Sequence, residues 1–235
     1  MNKWLFLIFI ISYFNTACML FKHPQEPDDL FWGYEPKPIQ KLIDDFEDGN
    51  FISFLGTTWA PLADNGGPYG DGSPSVATIN IITDDGDGNF SQENKVLKFN
   101  YKIGEGNAYQ FSMFYVPLPS LMRNLTGFTG LRFDWKHSGK GIVISLESPL
   151  TIADGYDHYS IELNSGSIAG TTNWYTGIEK SFYNFTRGGW GTKTISIESV
   201  LSNVTAIQFK VASPNNSARK NETGSCSIDN LRFIP

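Results

Sequence analysis

Cysteine is nearly absent: Cys18 and Cys226 are the only two in 235 residues, which excludes a disulfide framework and a multi-thiolate zinc site. Histidine is scarce too. His23, His137 and His158 form no His-Glu-x-x-His pair, and they are the only histidines from which a cysteine nucleophile at position 226 could draw a partner. Gly-x-Ser-x-Gly elbows and phosphate loops are also missing. Only 18% of residues are charged and the formal net charge is −6, so the basic surface that displaces counterions from nucleic acid is lacking. No stretch sustains a helical repeat of apolar residues over several turns. What replaces it is 23 glycines and 14% aromatics, a composition suited to short strands joined by tight turns.

The chain opens on Met1-Asn-Lys3, then an apolar run from Trp4 to Phe14, then Asn15-Thr-Ala-Cys18. That run is too short to span a bilayer and reads as a bacterial export signal over 1–17. Small residues before Cys18 resemble a lipobox, so Cys18 is the expected lipidation site, although Asn15 departs from the usual apolar residue. Ordinary secretion is the alternative. Residues 18–41 carry Pro24, Pro27, Pro36 and Pro38 and suit an extended tether. With Cys18 lipidated, Cys226 has no partner and is expected as a small buried hydrophobe.

From Leu42 onward, apolar alternation separated by turn clusters predicts strands at 42–46, 58–63, 76–83, 96–103, 109–117, 130–137, 142–148, 156–163, 174–180, 194–197, 206–212 and 225–234. A dozen strands over 42–235 fill two sheets of one β-sandwich. The first and last are expected as neighbours, and single helical turns are expected near 118–125 and 197–203. Alternation assigns faces. Leu131, Phe133 and Trp135 point to the core, leaving Arg132, Asp134 and Lys136 outward. By the same rule Tyr159, Ile161 and Leu163 turn in with His158, Ser160 and Glu162 out, and Ile207, Phe209 and Val211 turn in with Gln208 and Lys210 out. Trp59, Trp135 and Trp190 are assigned to the core. The Asp84-Asp-Gly-Asp-Gly-Asn89 run has carboxylates at alternate positions like an EF-hand loop. Phe90 stands where that loop needs glycine, so a hairpin turn is predicted.

Asp45-Phe-Glu-Asp-Gly49, Trp59, Gly130-Leu-Arg-Phe133, Phe182-Tyr-Asn-Phe-Thr-Arg-Gly-Gly-Trp-Gly191 and Ile228-Asp-Asn-Leu231 follow one another in an order that resembles family 11 carbohydrate-binding modules and their relatives. The resemblance extends to the complex I intermediate-associated proteins. It implies an all-β, two-sheet jelly-roll sandwich of the galactose-binding-like type. It also implies a structural Ca²⁺ between the first and last strands, with Glu47 and Asp229 as carboxylate ligands and backbone carbonyls near Asn50 and Lys98 completing an oxygen shell. Finally it implies a glycan groove on the concave sheet, with tyrosine platforms ringed by polar side chains. By strand parity and loop position the platforms are Tyr69, Tyr109, Tyr156 and Tyr175, and the hydrogen-bonding groups are Arg132, Asp134, His158 and Gln208.

With no catalytic constellation in the chain, the function this implies is non-catalytic binding of a polysaccharide or oligosaccharide by a lipid-anchored protein of the bacterial cell envelope. The membrane is met through the lipid alone. A second reading, from a different class, is an adhesin or assembly factor that holds a protein partner on the same sandwich face or on Phe31-Trp-Gly-Tyr34. A third is a glycoside hydrolase, which requires two carboxylates facing each other across the groove.

Overall fold

A computed structural model describes residues 41–65, 73–84, 94–105, 109–138, 141–163, 174–214 and 221–235, with backbone only at 109, 213 and 214. The chain divides into two compact units, Met1–Lys37 and Pro38–Pro235. All described residues belong to the second. Tyr69, the expected lipidation site Cys18, the Asp84–Asn89 turn beyond Asp84 and Phe31–Tyr34 lie outside the described residues.

Eleven strands are described: β1 Lys41–Asp44, β2 Ala60–Ala63, β3 Val76–Thr83, β4 Lys95–Lys102, β5 Tyr109–Pro117, β6 Gly130–Ser138, β7 Ile142–Glu147, β8 Tyr159–Leu163, β9 Tyr175–Ser181, β10 Ala206–Pro214 and β11 Thr223–Ile234. They form two antiparallel sheets, β3-β4-β11-β6-β9 with β1 added beside β11, and β2-β5-β10-β7-β8. The chain is thus the all-β, two-sheet jelly-roll sandwich that the sequence predicts.

β11 is the spine of the first sheet. Its first half pairs with β4 and its second half with β1, where Leu42 faces Arg232, so the two ends of the domain are neighbours as expected. The ladder to β6 slips between Asp229 and Arg232, where Asn230 adopts φ 52°. This bulge bends the strand and turns the side chains around it.

Two predicted strands differ, and one helix is added. The strand at 156–163 begins only at Tyr159, because Tyr156 takes φ 60° and its carbonyl accepts from His158 N at 2.9 Å, a turn in place of a ladder. No strand forms at 194–197. Ser196 caps the one-turn helix Ile197–Leu201 by accepting from Ser199 N. A further one-turn helix, Pro149–Ile152, starts from Ser148 in a capping box with Thr151, with proline at its first position.

Between the sheets lies one apolar core built from alternate residues of both. Phe114 and Phe209 of the second sheet stack at 4.9 Å, and Phe133 and Trp135 of the first pack on Phe209 at 6.1 and 6.2 Å. Trp59 closes one end against Phe46 and Phe114. Its indole N–H donates to Asp44 Oδ2 at 2.8 Å, and Phe46 N donates to Asp44 Oδ1 at 2.9 Å. The acidic turn after β1 is therefore anchored by its one buried carboxylate, whose pKa burial raises to about 6 despite those two donors. Cys226 is buried as expected, and burial pushes its thiol up.

Candidate functional site

The outer face of the five-stranded sheet gathers polar side chains at its centre. On β10, Ile207, Phe209 and Val211 are buried in the core, so Gln208 and Lys210 point the other way. Gln208 lies opposite Tyr115 of β5 and Ser145 of β7, and Ser145 lies opposite Ser160 of β8. A row Tyr115, Gln208, Ser145, Ser160 thus crosses four strands. Beside it Lys210 lies opposite Met113 and Val143. Gln208 donates to Glu147 Oε2 at 2.8 Å and Thr205 Oγ1 donates to Glu147 Oε1 at 2.8 Å, which fixes both groups. The Ser145 hydroxyl is buried with no hydrogen-bond partner among the described residues. Burial lowers the Lys210 pKa. His158 reaches the same neighbourhood: burial first, then the Lys210 charge, hold its pKa near 4 against the pull of Asp157. Its Nδ1 lies 2.6 Å from Thr151 Oγ1.

Two expectations are corrected here. His158 and Gln208 are predicted outward and exposed, yet they are 6% and 4% exposed. Gln208 does point outward, but its amide is folded onto Glu147. His158 precedes the strand instead of lying on it, so strand parity does not apply to it. Tyr115 is missed by sequence reasoning because both parities of β5 are apolar: Phe111, Met113 and Tyr115 alternate with Ser112, Phe114 and Val116. Only the pairing with β10 shows which set faces out.

Other predicted binding residues are dispersed. Arg132 and Asp134 do project from β6 as predicted, but β6 belongs to the six-stranded sheet, so they stand on the opposite side of the sandwich from Gln208. With Asn230 and Arg232 they line a polar hollow of about 250 Å³. Asp134 there accepts from Gly177 N at 2.6 Å and Asn230 Nδ2 at 2.9 Å. Tyr175 stands across from Trp135, also on the six-stranded sheet. Tyr109 begins β5 opposite Pro214. Tyr156 lies in the turn before β8 and is 64% exposed. Trp190, assigned to the core from sequence, is 61% exposed in the loop that borders β8, whereas Trp59 and Trp135 are buried.

Glu47 lies close enough to Asp229, at one corner of the six-stranded sheet, for its charge to act on that carboxyl. Asp229 is buried directly across from Asp134, accepts from Asn94 Nδ2 at 3.2 Å, and has its pKa raised to about 7, by burial first and then by the fields of Asp134 and Glu47. Lys95 lies beside Glu47, its backbone N–H donating to Oε1 at 3.4 Å and its ammonium to the Glu47 carbonyl at 3.0 Å. Lys98 sits mid-strand in β4 between Asn80 and Ser227, two positions along the ladder from Asp229. Two carboxylates and a side-chain amide are the oxygen donors a hard cation takes. Among the described residues no three His, Cys, Asp or Glu side chains gather closely enough to hold a metal.

No family model matches the sequence, and no curated protein matches it. Solved structures do. The family 11 carbohydrate-binding module of a cellulosomal cellulase of Clostridium thermocellum aligns at a TM-score of 0.51 with 18% identity, over 83% of this chain and 94% of that one. The same family's module in complex with a β-1,3-1,4-mixed-linked tetrasaccharide aligns at 0.47 with 19% identity, over 83% and 95%. A family 27 module of Caldicellulosiruptor saccharolyticus in complex with mannohexaose aligns at 0.46 with 15% identity, over 84% and 97%. The chain shares the carbohydrate-binding-module jelly roll.

Proposed function

We propose that this protein binds a glycan without cleaving it, through the outer face of the five-stranded sheet. The observation that carries the reading is the row Tyr115, Gln208, Ser145 and Ser160 on that face, flanked by Lys210 and Glu147. The half-buried Tyr115, Ser160, Lys210 and Glu147 place an aromatic beside hydroxyl and charged groups, which suits a sugar ring, whose C–H face stacks while its hydroxyls reach polar neighbours. The fold it shares with the family 11 module supports the same reading. In this proposal the protein sits at the bacterial cell envelope on a lipid attached to Cys18, and Ca²⁺ bound between Glu47 and Asp229 is a structural ion that neutralises the corner.

The test is a polysaccharide array probed with wild type and Tyr115→Ala. Binding that weakens about tenfold in the variant is expected from the loss of one stacking platform. A folded wild type that retains no glycan, or equal binding by the variant, overturns the proposal. In the first case a protein partner becomes the better reading.

A further inference from the structure

The loop that carries Trp190 is held by a network of buried carboxylates. Asp157 accepts from the backbone N–H groups of Gly188, Gly189 and Gly191 at 2.8, 3.2 and 3.0 Å. Asp154 accepts from Thr192 N at 3.0 Å and Lys193 N at 3.1 Å. Arg187 lies between the two carboxylates, paired with Asp154 and, at 3.1 Å, with Asp157. It also donates Nε to the Asp157 carbonyl at 3.0 Å and Nη1 to the Lys193 carbonyl at 2.6 Å. Burial would raise the Asp154 carboxyl, but Arg187, Lys193 and Thr192 override it and hold the pKa near 2. Upstream, Thr186 and Ser160 exchange backbone hydrogen bonds at 2.8 and 2.9 Å, which ties the loop to the free edge of β8.

On this scaffold the Trp190 ring is fixed. Its indole N–H donates to the Gly155 carbonyl at 3.0 Å, so its single polar atom is satisfied. Its six-membered ring lies against the Gly188 backbone, where a Cβ would come within 1.8 Å of Cζ3 and 2.4 Å of Cε3. The ring thus sits against Gly188 while the residue remains 61% exposed. The peptide that accepts the indole bond leads directly to Tyr156. That residue is held at φ 60°, a conformation costly for a side chain of its size, with its ring perpendicular to that of buried His158 at 6.1 Å. Two exposed aromatic side chains are thus tied together through the Gly155 carbonyl by a partly strained frame.

We propose that Trp190 and Tyr156 form a second stacking site, at the β8 edge, that engages a further sugar of a glycan chain lying on the five-stranded sheet. The inference rests on the glycan reading above and extends it: the protein selects long polysaccharide over short oligosaccharide. A flat apolar face with no free donor favours the C–H face of a pyranose over a polar or charged group. The loop that carries it is bridged through Thr186 to Ser160, the β8 end of the row that contains Tyr115 and Gln208.

The experiment is affinity electrophoresis of the full chain through gels containing β-1,3-1,4-glucan, mannan, agarose or β-1,2-glucan, followed by titration with the retarding polymer and a tetrasaccharide cut from it. Trp190→Ala and Tyr156→Ala are expected to weaken polymer binding about tenfold while leaving the tetrasaccharide unchanged. Trp190→Phe should recover most of the loss. Polymer, but not tetrasaccharide, should shift the wild-type tryptophan emission, and that shift should vanish in Trp190→Phe, a readout that does not depend on the alanine variant folding. If the Trp190 and Tyr156 variants bind polymer like wild type while Tyr115→Ala loses it, this site is overturned and the glycan reading stands. If no polymer retards the wild type, both fall.

Discussion

Replacing Asp229 with asparagine should stabilise the domain above neutral pH, and the gain should fade in acid. Asp229 is 4% exposed, lies across the ladder from Asp134 and sits in the field of Glu47. Burial first, then those two charges, raise its pKa from 3.8 to about 7, against hydrogen bonds from Asn94 and Asn230. Between those values the native state keeps a proton that the unfolded chain has released. The unfolded state then binds fewer protons, so stability falls as pH rises through the window. At about 1.4 kcal/mol per pH unit, the rise from 3.8 to about 7 sets a ceiling of about 4 kcal/mol on the loss by pH 8. Asparagine removes the charge and keeps an acceptor for Asn230 N, which donates to Oδ1 at 2.7 Å. Urea unfolding in EDTA, followed by tryptophan emission, should show the variant equal to wild type near pH 4 and more stable by about 1–3 kcal/mol at pH 8. A variant less stable by the same amount at both pH values refutes the reasoning, because the hydrogen bonds would then outweigh the charge. Adding Ca²⁺ at pH 8 tests the proposed ion: it should raise the wild-type midpoint and leave the variant unmoved. Indifference of both proteins removes calcium from the proposal.

His158 works in the opposite direction. Its pKa is lowered from 6.5 to about 4, so the unfolded chain binds the extra proton and stability is lost as pH falls through that window; His158→Gln should flatten the acid limb of the stability curve. Asp44→Ala strands two buried donors, Trp59 Nε1 and Phe46 N, and should cost about 2–4 kcal/mol in urea unfolding at pH 7, whereas a cost below about 0.5 kcal/mol would mean that water satisfies them. Phe209→Ala empties the centre of the core between Phe114, Phe133 and Trp135 and should cost about 3–5 kcal/mol by the same assay, with an unchanged m-value. Asp157→Asn should loosen the Gly188–Gly191 backbone and raise acrylamide quenching of Trp190, which equal quenching in the two proteins would contradict.

Much of the fold is legible because its signal is local. Alternating apolar residues mark β3, β4, β6, β10 and β11 to within a residue or two, since each strand needs one apolar face whatever its partners are. Elements governed by single hydrogen bonds are harder to read. The helix after Ser148 and the left-handed turn at Tyr156 depend on a cap and on one strained residue, and neither leaves a periodic trace. The Asp-Phe-Glu-Asp-Gly turn is conspicuous in the sequence, yet the carboxylate that anchors it is Asp44, one residue before the motif. Its importance comes from Trp59, fifteen positions away.

The candidate site is less legible than the fold for a different reason. Parity reports which residues of a strand share a face but carries no information about which sheet the strand joins. Arg132 on β6 and Gln208 on β10 have the same outward reading and end on opposite sides of the molecule, because β6 pairs with β11 and β9 whereas β10 pairs with β5 and β7. Those pairings are long-range and are set by how two whole sheets bury their inner faces together. The exposure of Trp190 is likewise non-local. An indole beside Arg-Gly-Gly reads as core from composition. Only Asp157, some thirty residues earlier, turns those glycine N–H groups inward, while Asp154 holds the amides of Thr192 and Lys193 that follow, and the ring is left exposed. The sequence signal for such a site is therefore a pair of aspartates in one turn together with a glycine-rich aromatic run elsewhere, because backbone amides clustered by glycine need buried acceptors and a ring lying on glycine has no side chain to cover it.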